Sequence, residues 1–268
     1  MKQFLRAELY RMKKSKSPLI LLIVCFGVSL MNGFTFGFLF GNAGWLTEFY
    51  ENALGGNPFD IYGEIAGEGL APIRSLGDFV SLNVAGTDGI FLILFIAIFL
   101  ASLKRSGFIR NIASEYGRTQ IFFTHVLLTA VYAFALVILS AAGSLIMFFV
   151  FFRGLPVESF PDFIVYLLTA WLLMSATGVM MLVLVDVVKK INMAVIAALV
   201  YLEFWAPIIF SFTGSSGFSL RFVSLVGNLD LLTVGDWNTV LSSLLVIVFY
   251  MTGAVLLETL VIKKRDLL

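Results

Sequence analysis

The chain has 268 residues, of which 60% are apolar and 13% charged, with a net charge of +1 and a mean hydropathy of +0.99. Soluble domains carry about 25% charged residues, so a soluble globular class is excluded, and a near-neutral chain sets up no global field for nucleic acid. The single cysteine, Cys25, excludes an internal disulfide and a cysteine metal cluster.

The chain opens with MKQFLRAELYRMKKSKS, residues 1–17. Leu5, Leu9 and Met12 recur at +4 and +3 with Phe4 beside them, while Lys2, Arg6 and Lys13 lie on the other side. This spacing predicts an amphipathic helix lying on a membrane surface, where each basic residue contributes about 1 kcal/mol of attraction to anionic lipid. The apolar run that follows, Pro18 to about Phe40, exceeds the roughly 7–15-residue core of a signal peptide. No small-x-small cleavage site follows it, so a retained first span is expected.

A hydrocarbon core of about 30 Å takes roughly 20 helical residues to cross. Six stretches meet this, near 18–41, 84–103, 121–152, 163–188, 191–212 and 238–262, giving an all-α polytopic integral membrane protein with a transmembrane domain over 18–262. The second is the shortest in apolar length, with Asp88 near its outer end. In the first, Gly33, Gly37 and Gly41 are spaced by four, a face that lets another helix approach closely, within the chain or on a second copy.

The connections carry the charge. Of the 18 Lys and Arg residues, all but Arg74, Arg153 and Arg221 fall before the first span, between the second and third, between the fourth and fifth, or in the basic tail 263–268. With six spans these lie on one side, and the positive-inside rule puts both termini in the cytoplasm. The ectoloop 42–83 is acidic and rich in Gly and Pro, so it is expected to be irregular. It is either simply solvated or a screen for cationic ligands. Trp45 and Trp237 fit an outer aromatic belt. Within 213–237, apolar pieces at Phe222–Val226 and Leu229–Val234 are too short to cross and suit interfacial or re-entrant helices.

Lys104–Gln120, KRSGFIRNIASEYGRTQ, is a short basic amphipathic segment between two spans. Phe108, Ile109, Ile112 and Tyr116 share a helical face, and Asn111, Glu115 and Arg118 lie among the polar positions. Ser106 is a fitting N-cap and Gly117 a fitting stop, which defines a cytoplasmic helix of about three turns near 105–117. Its apolar face needs either lipid headgroups or a partner protein to cover it.

The fifth span holds Glu203. A carboxylate at mid-membrane costs about 2–3 kcal/mol on insertion scales, and Pro207 removes the helical donor to the Glu203 carbonyl, with Trp205 between them. Glu203, Trp205 and Pro207 are either a kink with a bonded or protonated acid, or part of a translocation path. Glu258 sits within reach of the basic tail. His125, the one histidine, is expected at the interface.

The chain contains no Gly-Lys pair and so no P-loop, and neither HExxH, CxxC nor GxSxG occurs. No catalytic site and no metal site emerge. The basic N-terminal helix, the large first ectoloop, the segment GFIRNIASEYGRTQIFFTHVL and the last span running into VIKKRDLL together resemble the membrane subunits of ABC type-2 exporters. The likeness is nearest to bacitracin and lantibiotic-immunity peptide-exporter permeases. It covers nearly the whole chain as an architecture, though each motif is loose.

The resemblance implies a six-span permease of a bacterial cell membrane, without enzymatic activity of its own. It would pair with a second copy or an unlike permease and be driven by two copies of an ABC ATPase that bind the ATP and Mg. The helix bearing Phe108, Ile109, Asn111, Ile112, Glu115, Tyr116 and Arg118 would be the coupling helix, and residues 1–17 the connecting helix. Glu203 would otherwise suit an ion-coupled secondary transporter, although no internal repeat is evident. The Gly33/Gly37/Gly41 face would suit a non-transporting sensor or assembly subunit.

Overall fold

In the computed structural model, residues 2–41, 75–100, 116–152, 157–188, 193, 195–197 and 224–266 are described. Every element among them is helical. They are α1 (Lys2–Lys14), α2 (Lys16–Gly41), α3 (Leu76–Phe95), α4 (Arg118–Phe151), α5 (Phe160–Val188), α6 (Leu225–Leu231) and α7 (Trp237–Asp266), with α3 continuing as a π-helical turn over Ile96–Leu100.

Among the described residues four helices are long and apolar enough to cross a membrane: α2, α4, α5 and α7. Large apolar side chains on these helices stand exposed, among them Ile23 and Met31 on α2, Val131 and Phe149 on α4, and Leu245 and Phe249 on α7. In water such a surface would aggregate; against lipid it is matched. The chain is therefore compatible with a membrane protein.

Helix α4 is the hub, packing against α2, α3 and α5, while α7 lies on α5 and α6 fills the corner between them. Close approach is secured by small residues. The α2 face bearing Gly33 and Gly37 lies on α4, where added β-carbons would meet Met147 Cβ at 2.9 Å and overlap the Phe151 ring. Gly41 closes α2. Aromatic side chains fill the larger gaps: Phe95 stacks on Tyr132 with centroids 3.7 Å apart, and Phe79 meets Phe148 and Phe152.

The bundle has two chemically distinct ends. Arg11, Lys13, Lys14, Lys16 and Arg118 cluster where α1 ends, α2 begins and α4 begins. Glu158, Asp162 and Asp236 lie at the other, where α3, α5 and α7 begin. Helices α5 and α7 thus start at the same, acidic end: Asp162 and Tyr166 of one border a groove with Trp237 and Val240 of the other.

Several expected boundaries move. The ectoloop was expected to reach residue 83, but α3 begins at Leu76. Leu76, Phe79, Val80, Asn83 and Val84 are all buried, a helical stripe that hydropathy misses because Asn83 and Asp88 lower it. The start of α3 is also capped from a distance: both Glu158 carboxylate oxygens accept from the Gly77 amide, at 2.8 and 2.9 Å, satisfying an orphan donor where the helix dipole favours an anion. Asp88 consequently lies midway along Leu76–Leu100 rather than near an outer end.

The tail expected at 263–268 is in part helix, since α7 runs to Asp266. His125 is 5% exposed and so buried on α4, because α4 begins at Arg118 and already packs on the bundle there. The expected re-entrant pieces of 213–237 contain one described helix, α6, N-capped by Ser224, whose hydroxyl accepts from the Gly227 amide. The expected fifth span lies, but for residues 193 and 195–197, outside the described residues.

Candidate functional site

Two places in the bundle carry polar chemistry that packing alone does not require. The first is a buried cluster where α2, α3 and α4 meet. Cys25 and Ser29 on α2, Ser140 and Ser144 on α4, and Asn83 on α3 each recur at one helical turn or near it, so three polar stripes converge on Asp88. All six side chains are essentially inaccessible to solvent.

The hydrogen bonds have a direction. Ser140 Oγ donates to Asp88 Oδ1 at 2.6 Å, and Ser29 Oγ lies 2.8 Å from Ser140 Oγ. A hydroxyl has one proton; with that of Ser140 on Asp88, Ser29 is the donor to Ser140. The Cys25 thiol donates to the same Oδ1 at 3.5 Å. Asn83 Nδ2 donates to the Ser29 carbonyl and to Ser144 Oγ, both at 2.9 Å, and Ser144 donates to the Ser140 carbonyl at 2.9 Å. Asp88 Oδ2 is buried with no partner among the described residues. No cationic side chain is paired with this carboxylate there.

The second place is the basic end. Helix α1 turns Phe4 and Glu8 inward, both nearly fully buried, with Leu5 and Met12 packed beside them. Leu9, expected on that face, is exposed. The buried flank is therefore rotated from the purely apolar one, because α1 rests on the bundle as well as on its surroundings. Arg11 explains the rotation. It pairs with Glu8 at 2.7 Å, lies 3.9 Å above the Phe99 ring and donates to the Phe99 carbonyl at 3.4 Å. Phe99 belongs to the π turn Ile96–Leu100 in the C-terminal part of α3, the part of a helix where the dipole favours a cation. Phe4 stacks on Tyr116 with centroids 5.4 Å apart. A single 13-residue helix thereby touches both margins of the segment 101–115.

Of the residues singled out in the sequence, Tyr116 is helical and stacked on Phe4. Gly117 follows it with φ 74° and ψ 146°, and Arg118 opens α4. Phe108, Ile109, Asn111, Ile112 and Glu115 lie outside the described residues, as do Glu203, Trp205 and Pro207. Gly33 and Gly37 face α4 of the same chain, and a β-carbon on Gly33 would also lie 3.6 Å from Asn83 Nδ2 at the edge of the buried cluster. The Asp88 cluster was not anticipated. Its signal was present in Cys25/Ser29 and Ser140/Ser144, two i,i+4 polar pairs inside apolar spans, but only pairing the helices reveals that they face one acid.

Among the described residues no three His, Cys, Asp or Glu side chains gather as a metal would need. Compared with known proteins, the chain matches no family model, no curated protein and no solved structure.

Proposed function

We propose that this chain is the membrane-embedded permease subunit of an ABC exporter, moving or extracting a substrate, an antimicrobial peptide among the candidates, toward the outside. ATP would be hydrolysed by a separate ATPase subunit seated at the basic end. The observation that carries the proposal is the clamp of α1: Phe4 on Tyr116 and Arg11 on Phe99 hold one amphipathic helix across both margins of the short connection 101–115. A push on that connection would reach α3 and α4 together, which is what a subunit without a P-loop needs in order to be driven by another.

The direction of the helices supports the topology. Helix α5 runs from the acidic end to Val188 at the basic end, and α6 packs back against α5 and α7; six crossings, counting α3 and the expected span near 191–212, would fit these directions. On this reading the basic end faces the cytoplasm, both termini lie there, and the protein sits in a bacterial cell membrane. Two ATPase copies would serve a pair of permeases, with the exposed α2 or α7 face meeting lipid or the second permease.

The test is co-purification with a P-loop ATPase encoded beside this chain. The wild-type protein should retain the ATPase and stimulate its turnover. Phe108→Ala combined with Glu115→Ala should lose both while the permease still folds. Retention and stimulation unchanged in that variant would overturn the docking role.

A further inference from the structure

The buried Asp88 cluster is placed where a static structural role would be costly. A fully buried carboxylate midway along α3, packed against the membrane-length helices α2 and α4 and with no cation beside it among the described residues, has one oxygen without a hydrogen-bond donor there, and an uncompensated buried charge costs far more than a neutral group. The site must therefore take up a proton or a small cation.

The ligand set distinguishes the two. A sodium ion requires several oxygen lone pairs aimed at one centre. Here the hydroxyls of Ser29 and Ser140 are strung in series, and the third neighbour is a thiol, a poor ligand for a hard cation. A series of hydroxyls is suited to a proton, because it can reverse. With Asp88 ionised, Ser29 donates to Ser140 and Ser140 to Oδ1. With a proton on Oδ1, the acid donates to Ser140 and Ser140 to Ser29. The same separations of 2.6 and 2.8 Å serve both directions, since only hydroxyl protons rotate.

We infer that Asp88 is a reversible proton-binding site between α2, α3 and α4, read out through Ser140 and Ser29. The titratable groups near it are Cys25 from α2 and Tyr166 from α5, whose buried hydroxyl has no partner among the described residues. α4 presents the serine hydroxyls and, on the Cys25 side, the Tyr132 phenol, which donates to the Pro18 carbonyl. Release of the proton leaves an anion held only by the Ser140 hydroxyl and the Cys25 thiol at the junction of three helices, so the charge state of Asp88 biases how tightly they close.

The experiment is infrared difference spectroscopy of the full chain reconstituted in lipid, titrated with pH. At neutral pH the wild type should show the carbonyl stretch of a protonated carboxylic acid that is missing from Asp88→Asn, and this band should fade reversibly as the pH is raised. Ser140→Ala, which keeps the carboxyl, should shift the frequency of the same band. Dicyclohexylcarbodiimide, which reacts with protonated carboxyls in apolar surroundings, should label the Asp88 peptide without protection by sodium chloride. Three results would each overturn the proposal: no Asp88-dependent band at neutral pH, a band that persists until the protein unfolds, or labelling that sodium blocks. The last would make this a cation site instead.

Discussion

Two glycines in apolar helices illustrate how little the residue type says without its neighbour. A β-carbon on Gly178 of α5 would overlap Thr129 Cγ2 of α4 and come within 3.0 Å of Leu92 Cδ2 of α3. Thr129 is β-branched on a helix and has few rotamers with which to yield. Gly178→Ala should therefore destabilise the bundle by about 1–3 kcal/mol, as overpacking does, read as a lower midpoint of thermal unfolding in detergent. Adding Thr129→Ser, which removes the clashing methyl, should recover part of the loss. Gly253 of α7 has nothing within 4 Å of its added β-carbon. There the higher helix propensity of alanine acts unopposed, and Gly253→Ala should be neutral or stabilising by up to about 1 kcal/mol. A large loss at Gly253 would mean that another molecule covers that face.

At the scale of the element, α1 is held by few contacts, and one of them is an ion pair with a buried partner. Removing Arg11 strands the Glu8 carboxylate, which is 3% exposed. Breaking such a pair costs more than replacing both members; because the Arg11 side chain is itself 30% exposed, about 2 kcal/mol is expected rather than the full buried value. Arg11→Ala should raise amide hydrogen exchange throughout α1 while leaving α4 protected, and Arg11→Met with Glu8→Gln should restore most of the protection. Equal exchange in the single and double variants would show that the pair does not dock the helix. At the opposite end, the Glu158 carboxylate substitutes for a local cap on α3. Glu158→Ala should cost about 1 kcal/mol, the usual value of a lost N-terminal cap, and should loosen first the amides around Gly77.

At the scale of the whole molecule, the separation of charge between the two ends makes a prediction about sidedness. A membrane-impermeant maleimide applied to intact cells should modify Val157→Cys, which is exposed at the acidic end, and should reach Arg6→Cys only after permeabilisation. The native thiol supplies no background, because Cys25 is buried. Labelling in the reverse order would invert the orientation and remove the cytoplasmic perch on which the proposed partner depends.

The membrane-compatible character of the chain, four of its long apolar helices and the amphipathic first helix are legible in composition and periodicity, because each is a property of a segment taken alone. Burying 20 or so apolar residues in lipid needs no knowledge of what lies beside them. The start of α3 was not legible in this way. Asn83 and Asp88 make its first half look like loop; in the fold the Ser29 carbonyl and the Ser144 and Ser140 hydroxyls, on two neighbouring helices, take up the Asn83 amide and one Asp88 oxygen. The burial of Glu8 was hidden for the same reason: its pair with Arg11 is a local i,i+3 contact, but the Phe99 ring on which Arg11 rests is brought there by docking and not by spacing. What the sequence determined by itself is which segments prefer an apolar medium and how charge divides between their ends. Which polar groups meet inside that medium, and hence that one acid at the junction of three helices takes donors from two of them, was decided only by the tertiary packing, because a hydrogen bond between helices requires both partners at one depth and on facing sides.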